Sequence, residues 1–266
     1  MNTQAEALCE YMAQLHDRQP EEVLLPEHLE TYRKQHSDIY QRIVQLHHTI
    51  ISLERIIDFP FQSLCSPSEM TFWDTVHWNF VHMGVVLLSG LIDDKASGAH
   101  DLDQFRTRIF EQWIRPGFRD EYRNQRIRTE LSSVHRSILD RVKKMRNKIV
   151  VHRELERASL LPLTSVSGIL VRELRELFDA VERQFRACCF CPDVRTTSRD
   201  YETTVVDGKR KPTSLDNILD CVARNSKLVN QPEETGQYWA VLREHVSADE
   251  LRVMNEYRRK FAKSEA

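Results

Sequence analysis

"FRDEYRNQRIRTELSSVHRSILDRVKKMRNKIVVHRE" occupies residues 118–154. Phe118, Tyr122, Ile127, Leu131, Val134, Ile138, Val142, Met145, Ile149 and His152 recur in it at steps of three to five. That spacing predicts one long amphipathic helix with this stripe turned inward. The opposite face is rich in arginine. From Arg115 to Arg153 twelve basic residues stand against four acids, a local excess of eight positive charges in a chain whose formal net charge is −2. A phosphate-rich polymer would be drawn to such a segment.

The remainder of the chain agrees with a helical reading. Its 266 residues can bury a large core, and 41% hydrophobic with 29% charged residues describes a globular protein rather than a disordered one. Only seven glycines disfavour sandwiches, barrels and dinucleotide-binding sheets, which need frequent tight turns. The expected fold class is all-α. There is no GxGxxG, P-loop, GxSxG or HExxH, which sets aside the corresponding nucleotide-binding, hydrolase and metalloprotease chemistries. The N-terminus lacks the apolar core of a signal peptide. The longest near-apolar run, "MGVVLLSGLI" (83–92), is about half of what a membrane span requires. The expectation is a cytoplasmic protein with reduced thiols and no membrane partner.

Working outward, a short helix is expected over residues 4–16 and a long one after Pro26. The long helix carries Leu29, Tyr32, Ile39, Ile43, Leu46, Ile50, Leu53 and Ile57 inward and ends before "DFPF" (58–61). "SPSE" (66–69) marks a helix start, with Ser66 as cap, Pro67 at the first helical position and Glu69 closing a capping box. The helix that follows is apolar nearly all round and is predicted to be central and buried. A short helix covers about 101–112. Another spans about 168–187, with Leu170, Leu174, Phe178, Val181 and Phe185 facing in. Past residue 191 the texture changes. "YETTVVDGKRKP" (201–212) is a modest hairpin signal, and short helices are expected near 214–228, 235–245 and 247–262. The proposed organisation is a helical bundle over 1–191 and a helical C-terminal extension over 192–266, with a possible hairpin.

The chemistry concentrates in "RNKIVVHRE" (146–154), where polar triplets flank a short β-branched run. Arg followed by His within a few residues means little by itself; Arg42 with His47 or His48, and Arg128 with His135, fit equally well and are taken as decoys. Arg146 and His152 differ in three respects. His152 follows Met145 by seven residues on the inward stripe, with Arg146 about 120° away. The basic face leads into them. Asn147 and Arg153-Glu154 are their immediate neighbours.

"MRNKIVVHRE", at the end of a basic helix in an all-helical chain, resembles the RxxxxxH signature of the HEPN superfamily, and within it the abortive-infection (AbiU-type) branch. The resemblance covers roughly residues 26–190. It implies a HEPN-like bundle that forms a homodimer and a metal-independent endoribonuclease site composed from both protomers. It also implies a toxin or antiviral-defence effector, restrained in some systems by an antitoxin, with a nucleotidyltransferase-like partner as the candidate. On this reading the catalytic residues are Arg146, His152 and Asn147. Cleavage without metal needs a base for the 2′-hydroxyl and an acid for the leaving oxygen, and two histidines across a two-fold interface supply both. Arg146 would hold the scissile phosphate. Asn147 would orient the imidazole or donate to a phosphate oxygen. Lys148 and Arg153, with Lys144 and Arg141 on the same helix, form the RNA-binding set. No cofactor and no metal are required.

The alternative from another class is a catalytically silent HEPN-like module that binds RNA, a nucleotide or a protein partner. "ACCFC" (187–191) could provide half of a zinc site, with Cys221 or a histidine completing it. No second CxxC accompanies it, and buried free thiols are common. Asp93-Asp94 reads as a solvated helix end.

Overall fold

A computed structural model describes residues 15, 18–65, 67–92, 101–152, 169–190, 205–206, 209–210 and 214–225, with a few isolated positions beyond 247. The fold class is all-α. Its helices are α1 (Pro20–Val23), α2 (Leu29–Asp58), α3 (Phe61–Leu64), α4 (Pro67–Ile92), α5 (Leu102–Arg108), α6 (Arg119–Arg128), α7 (Ser133–His152), α8 (Val171–Arg186) and α9 (Ser214–Asn225). The expected hairpin is present as β1 (Val205–Val206) and β2 (Lys209–Arg210), paired antiparallel with Val205 opposite Arg210. The expected helices over 4–16, 235–245 and 247–262 lie outside the described residues, apart from isolated positions, as do Ser66, Asp93 and Asp94.

The chain forms two compact units. One takes in residues up to Ile50 together with Val81–Thr203; the other takes in Ile51–Phe80 together with Thr204–Ala266. A single linear boundary near 192 therefore does not describe the grouping, because the second unit draws on two distant stretches. The reason is a shared apolar cluster. Ile56, Phe59, Phe61 and Leu64 pack with Leu219 and Ala223 of α9, and Trp73, Val76 and Phe80 close around them. The Phe61 ring lies 4.6 Å from both Phe59 and Trp73, and Arg55 pairs with Asp216 at 3.3 Å.

In the first unit α2 follows the expected pattern. Tyr32, Ile39, Ile43, Leu46 and Ile50 are buried, at the helical spacing that puts them on one face. In the second unit Leu53 is buried too, but Ile57 is 39% exposed and Ile56 takes its place inside. Another strongly buried helix of the first unit is α8. It buries Leu174, Leu177, Phe178, Ala180, Val181 and Phe185, and even Glu182 and Gln184.

The prediction that α4 is the central, buried helix is corrected. Val81, Val85, Leu88 and Leu91 are buried, but Met83 and Val86 on the other side are 51% and 44% exposed, and Phe72 near the start of α4 is 61% exposed. Its stretch Glu69–Ile92 has a mean hydropathy of 1.4 over 18 residues, long and apolar enough by composition to cross a membrane, and 39% of that window is buried. Hydropathy measures the preference of each side chain and says nothing of whether a neighbour is there to satisfy it.

The continuous helix expected over 118–152 is also corrected. It divides into α6 and α7, and Ile127 and Val134, assigned to the inward stripe, are 59% and 61% exposed. Tyr122, Ile138, Val142 and Met145 are buried as expected. Two local devices make the break. Arg106, only 3% exposed, donates to the Arg126 carbonyl at 2.9 Å and the Thr129 hydroxyl at 3.1 Å, placing a cation at the C-terminus of α6. Ser132 then caps α7: its hydroxyl accepts from the His135 amide, and His135 Nδ1 accepts from the Ser132 amide, each at 3.3 Å. This is a capping box with histidine in the position that glutamate or glutamine commonly holds.

α5 opens on Asp101, whose carboxylate accepts from the amides of Asp103 and Gln104 at 2.8 and 3.1 Å, and it ends in a π turn over Ile109–Trp113. Beyond the turn, Leu24 and Ile114 form an isolated antiparallel bridge, and Arg115 donates to the Leu24 carbonyl at 3.0 Å. That arginine of the basic tract is thus occupied in joining two segments of the first unit.

Candidate functional site

α7 carries the motif. Ile138, Leu139, Val142 and Met145 hold one side of it in the core, while Asp140, Lys144 and Asn147 face solvent. This is the phase that a 3.6-residue repeat dictates. Arg146 lies between, half-buried, and its guanidinium donates through Nε and Nη2 to the Asn147 side-chain oxygen at 3.3 and 3.2 Å. The two neighbours therefore form one polar unit, in which Asn147 uses two of the five donors a guanidinium offers.

The helical backbone continues to His152. Position 152 lies about 9 Å farther along the axis than position 146 and comes round to within about 20° of position 145. The side chains of Lys148 and His152 lie outside the described residues, as does Arg153 entirely. Of the sequence-derived site, the structure therefore brings Arg146 and Asn147 together and carries the backbone of Lys148 and His152 on the same helix. Lys144 is exposed on the outer face, one turn before Lys148.

Arg141 has a different setting. Its two terminal nitrogens donate to the two carboxylate oxygens of Glu173 at 2.8 and 3.1 Å. Glu173 stands at the third position of α8, and its carboxylate also accepts from the Leu170 amide at 2.9 Å. The Arg141 hydrogen bonds, with help from that amide and the nearby Arg172, hold the Glu173 carboxyl below its ordinary range against the opposing effect of burial. Sequence reasoning missed Glu173. The one signal available was a glutamate three residues after a helix boundary, and it said nothing of a partner 32 residues away.

Other parts of the basic tract are likewise engaged within the protein. Arg115 donates to the carbonyls of Leu24 and Glu21, and Arg119 to that of Glu111. Arg123 pairs with Asp120, Arg126 with Thr107 and Asp103, and Arg136 with Glu130. Contacts to carbonyls leave the charge in place, and Asp120 and Glu130 are already in the count, but Asp103 and Glu173, from outside the tract, lower its excess further. The excess is concentrated toward the end of α7.

Other histidines and cysteines have structural settings of their own. His47 is buried with its ring edge-on to Phe178 at 5.2 Å, and His135 serves in the α7 cap. His77, in the second unit, is 1% exposed, and burial lowers its pKa against the pull of Asp74. Cys188 donates to the Gln184 carbonyl and touches the Tyr122 hydroxyl, both at 3.3 Å. Burial pushes its thiol and the Tyr122 phenol up. Cys189 donates to the Phe185 carbonyl, and Cys191 lies outside the described residues. Among the described residues no group of three or more His, Cys, Asp or Glu side chains is arranged to hold a metal ion. Comparison with protein-family models, with curated proteins and with solved structures finds no match for this chain.

Proposed function

We propose that this protein is a metal-independent endoribonuclease whose composite site is assembled from two copies of the chain. It would act in the cytoplasm as a toxin or antiviral-defence effector. The observation that carries the reading is the Arg146–Asn147 unit, formed on a basic helix whose backbone runs on to His152. A guanidinium held by its neighbour is suited to a phosphate oxygen that gains charge in the transition state. In the reaction, one His152 takes the proton of the ribose 2′-hydroxyl as that oxygen attacks phosphorus. The bond to the 5′-oxygen breaks, and His152 of a second copy donates the proton that this oxygen needs. The products are a 2′,3′-cyclic phosphate and a 5′-hydroxyl. Lys144, Lys148 and Arg153 would hold flanking phosphates, and a nucleotidyltransferase-like antitoxin is the partner this reading calls for.

The test incubates wild-type and His152→Ala protein with total RNA in EDTA and maps the ends. Cleavage by wild type alone, with 2′,3′-cyclic phosphate termini, supports the enzyme. If both proteins are inert while folded and dimeric, the silent binding module takes its place. Its mark is RNA affinity that weakens when Lys144 and Arg146 are neutralised.

A further inference from the structure

We infer that Glu173 is a positioning residue for this site, acting through Arg141 to set how α7 lies against the start of α8. The inference rests on the ribonuclease reading, and it reassigns Arg141 from RNA contact to internal clamp.

The Glu173 carboxylate receives three N–H groups from two directions. Two come from Arg141 on α7, and the third from Leu170 immediately before α8. A forked arginine–carboxylate contact fixes angle as well as distance. The amide bond ties the same carboxylate to its own helix start, where a negative charge is favoured by the helix dipole. Neither group is deeply buried, with side-chain exposures of 36% and 21%, so the pair contributes little to global stability. Its effect is on orientation. Arg141 precedes Arg146 by five residues, about 7.5 Å along a stiff helix. Between them Val142 and Met145 are buried. Apolar contacts keep this face of the helix inward but are non-directional, so a forked polar contact at its edge adds a precise orientation that they do not supply. Displacements of about 1 Å in a reacting group can reduce turnover by about 100-fold.

The two roles for Arg141 predict opposite responses to Glu173→Gln. If Arg141 grips RNA, losing the carboxylate frees its guanidinium, so RNA binds more tightly and cleavage holds or rises. If the pair positions the helix, turnover at saturating RNA falls about tenfold or more, with KM and melting temperature nearly unchanged. The exchanged variant Arg141→Glu/Glu173→Arg then recovers turnover relative to either single change, which loss of an RNA contact would not allow. Amide hydrogen exchange over residues 142–147, compared between wild type and Glu173→Gln with circular dichroism confirming the fold, separates this inference from the reading beneath it. Faster exchange there supports the clamp whether or not the wild type cleaves RNA. Unchanged exchange overturns it, as does unchanged turnover in an active enzyme. An inert wild type with faster exchange in the variant removes the ribonuclease and leaves the clamp.

Discussion

The imidazole Nε2 of His36 lies 3.1 Å from the Cys189 sulfur, while the ring itself stacks between Tyr32 and Phe185 at centroid distances of 5.6 and 4.9 Å. Burial lowers this histidine from 6.5 to about 4. The folded protein therefore binds the proton less readily than the unfolded chain does. Stability is complete above the unfolded value and declines as pH falls toward 4. The loss is about 2 kcal/mol between roughly pH 7.5 and pH 5, and about 3 kcal/mol by roughly pH 4. His77 adds a decline in the same direction. Urea unfolding across this range should show the fall, and His36→Phe, which keeps the stacking and cannot titrate, should show a shallower one. Equal slopes for the two proteins would exclude His36 as the source.

The contrast between the buried face of α8 and the exposed side of α4 has a direct consequence for truncation. Phe178→Ala should cost about 3–5 kcal/mol, as for a large aromatic removed from a packed core. Val86→Ala should cost about 0.5 kcal/mol or less, as for an exposed site. Denaturant midpoints of the two variants decide the matter, and a comparable loss at both would place α4 in the interior after all.

Gly84 sits in the interior of α4, where a methyl group would meet the Thr49 γ-methyl at 3.6 Å, ordinary van der Waals contact. No strain opposes it, and alanine is favoured over glycine inside a helix by about 0.8–1.0 kcal/mol. Gly84→Ala should raise stability by up to about 1 kcal/mol, read as an increased urea midpoint with an unchanged slope. A decrease would mean that the α2–α4 contact is tighter than described.

Ser132 gives a fourth prediction. Replacing it with alanine removes the hydroxyl that accepts the His135 amide. A lost N-cap costs about 1 kcal/mol, and the effect should appear as faster amide exchange confined to the first turn of α7. Ser132→Asp, which can still accept, should be close to wild type.

The pattern of legible and illegible features has a physical basis. The inward stripe Tyr32–Ile50 and that of α8 could be read because each is long, regular and matched by neighbours in the fold. The Pro67 start of α4 was legible because proline at a first helical position is a strong local signal. The break between α6 and α7 was not, because neither glycine nor proline marks it. It is made by an arginine 20 residues upstream and by a histidine in an unusual capping role. For the candidate site, the neighbouring Arg146 and Asn147 could be selected from the motif, and their contact is local. The Arg141–Glu173 pair could not. Nothing near either residue in the chain announces the other, and the surplus of basic residues invited the simpler assignment of Arg141 to a polyanion.

The apolar cluster of the second unit bears on how the protein is made. Ile56, Phe59, Phe61 and Leu64 leave the ribosome about 155 residues before Leu219, their first buried partner on α9. At about 5–20 residues per second the interval is roughly ten to thirty seconds. During it these side chains have no cover from α9, in a state prone to aggregation or to holding by a chaperone. A chain cut near residue 192 would never leave that state, and its insolubility would reflect the missing α9 rather than a fault in the helices that precede it.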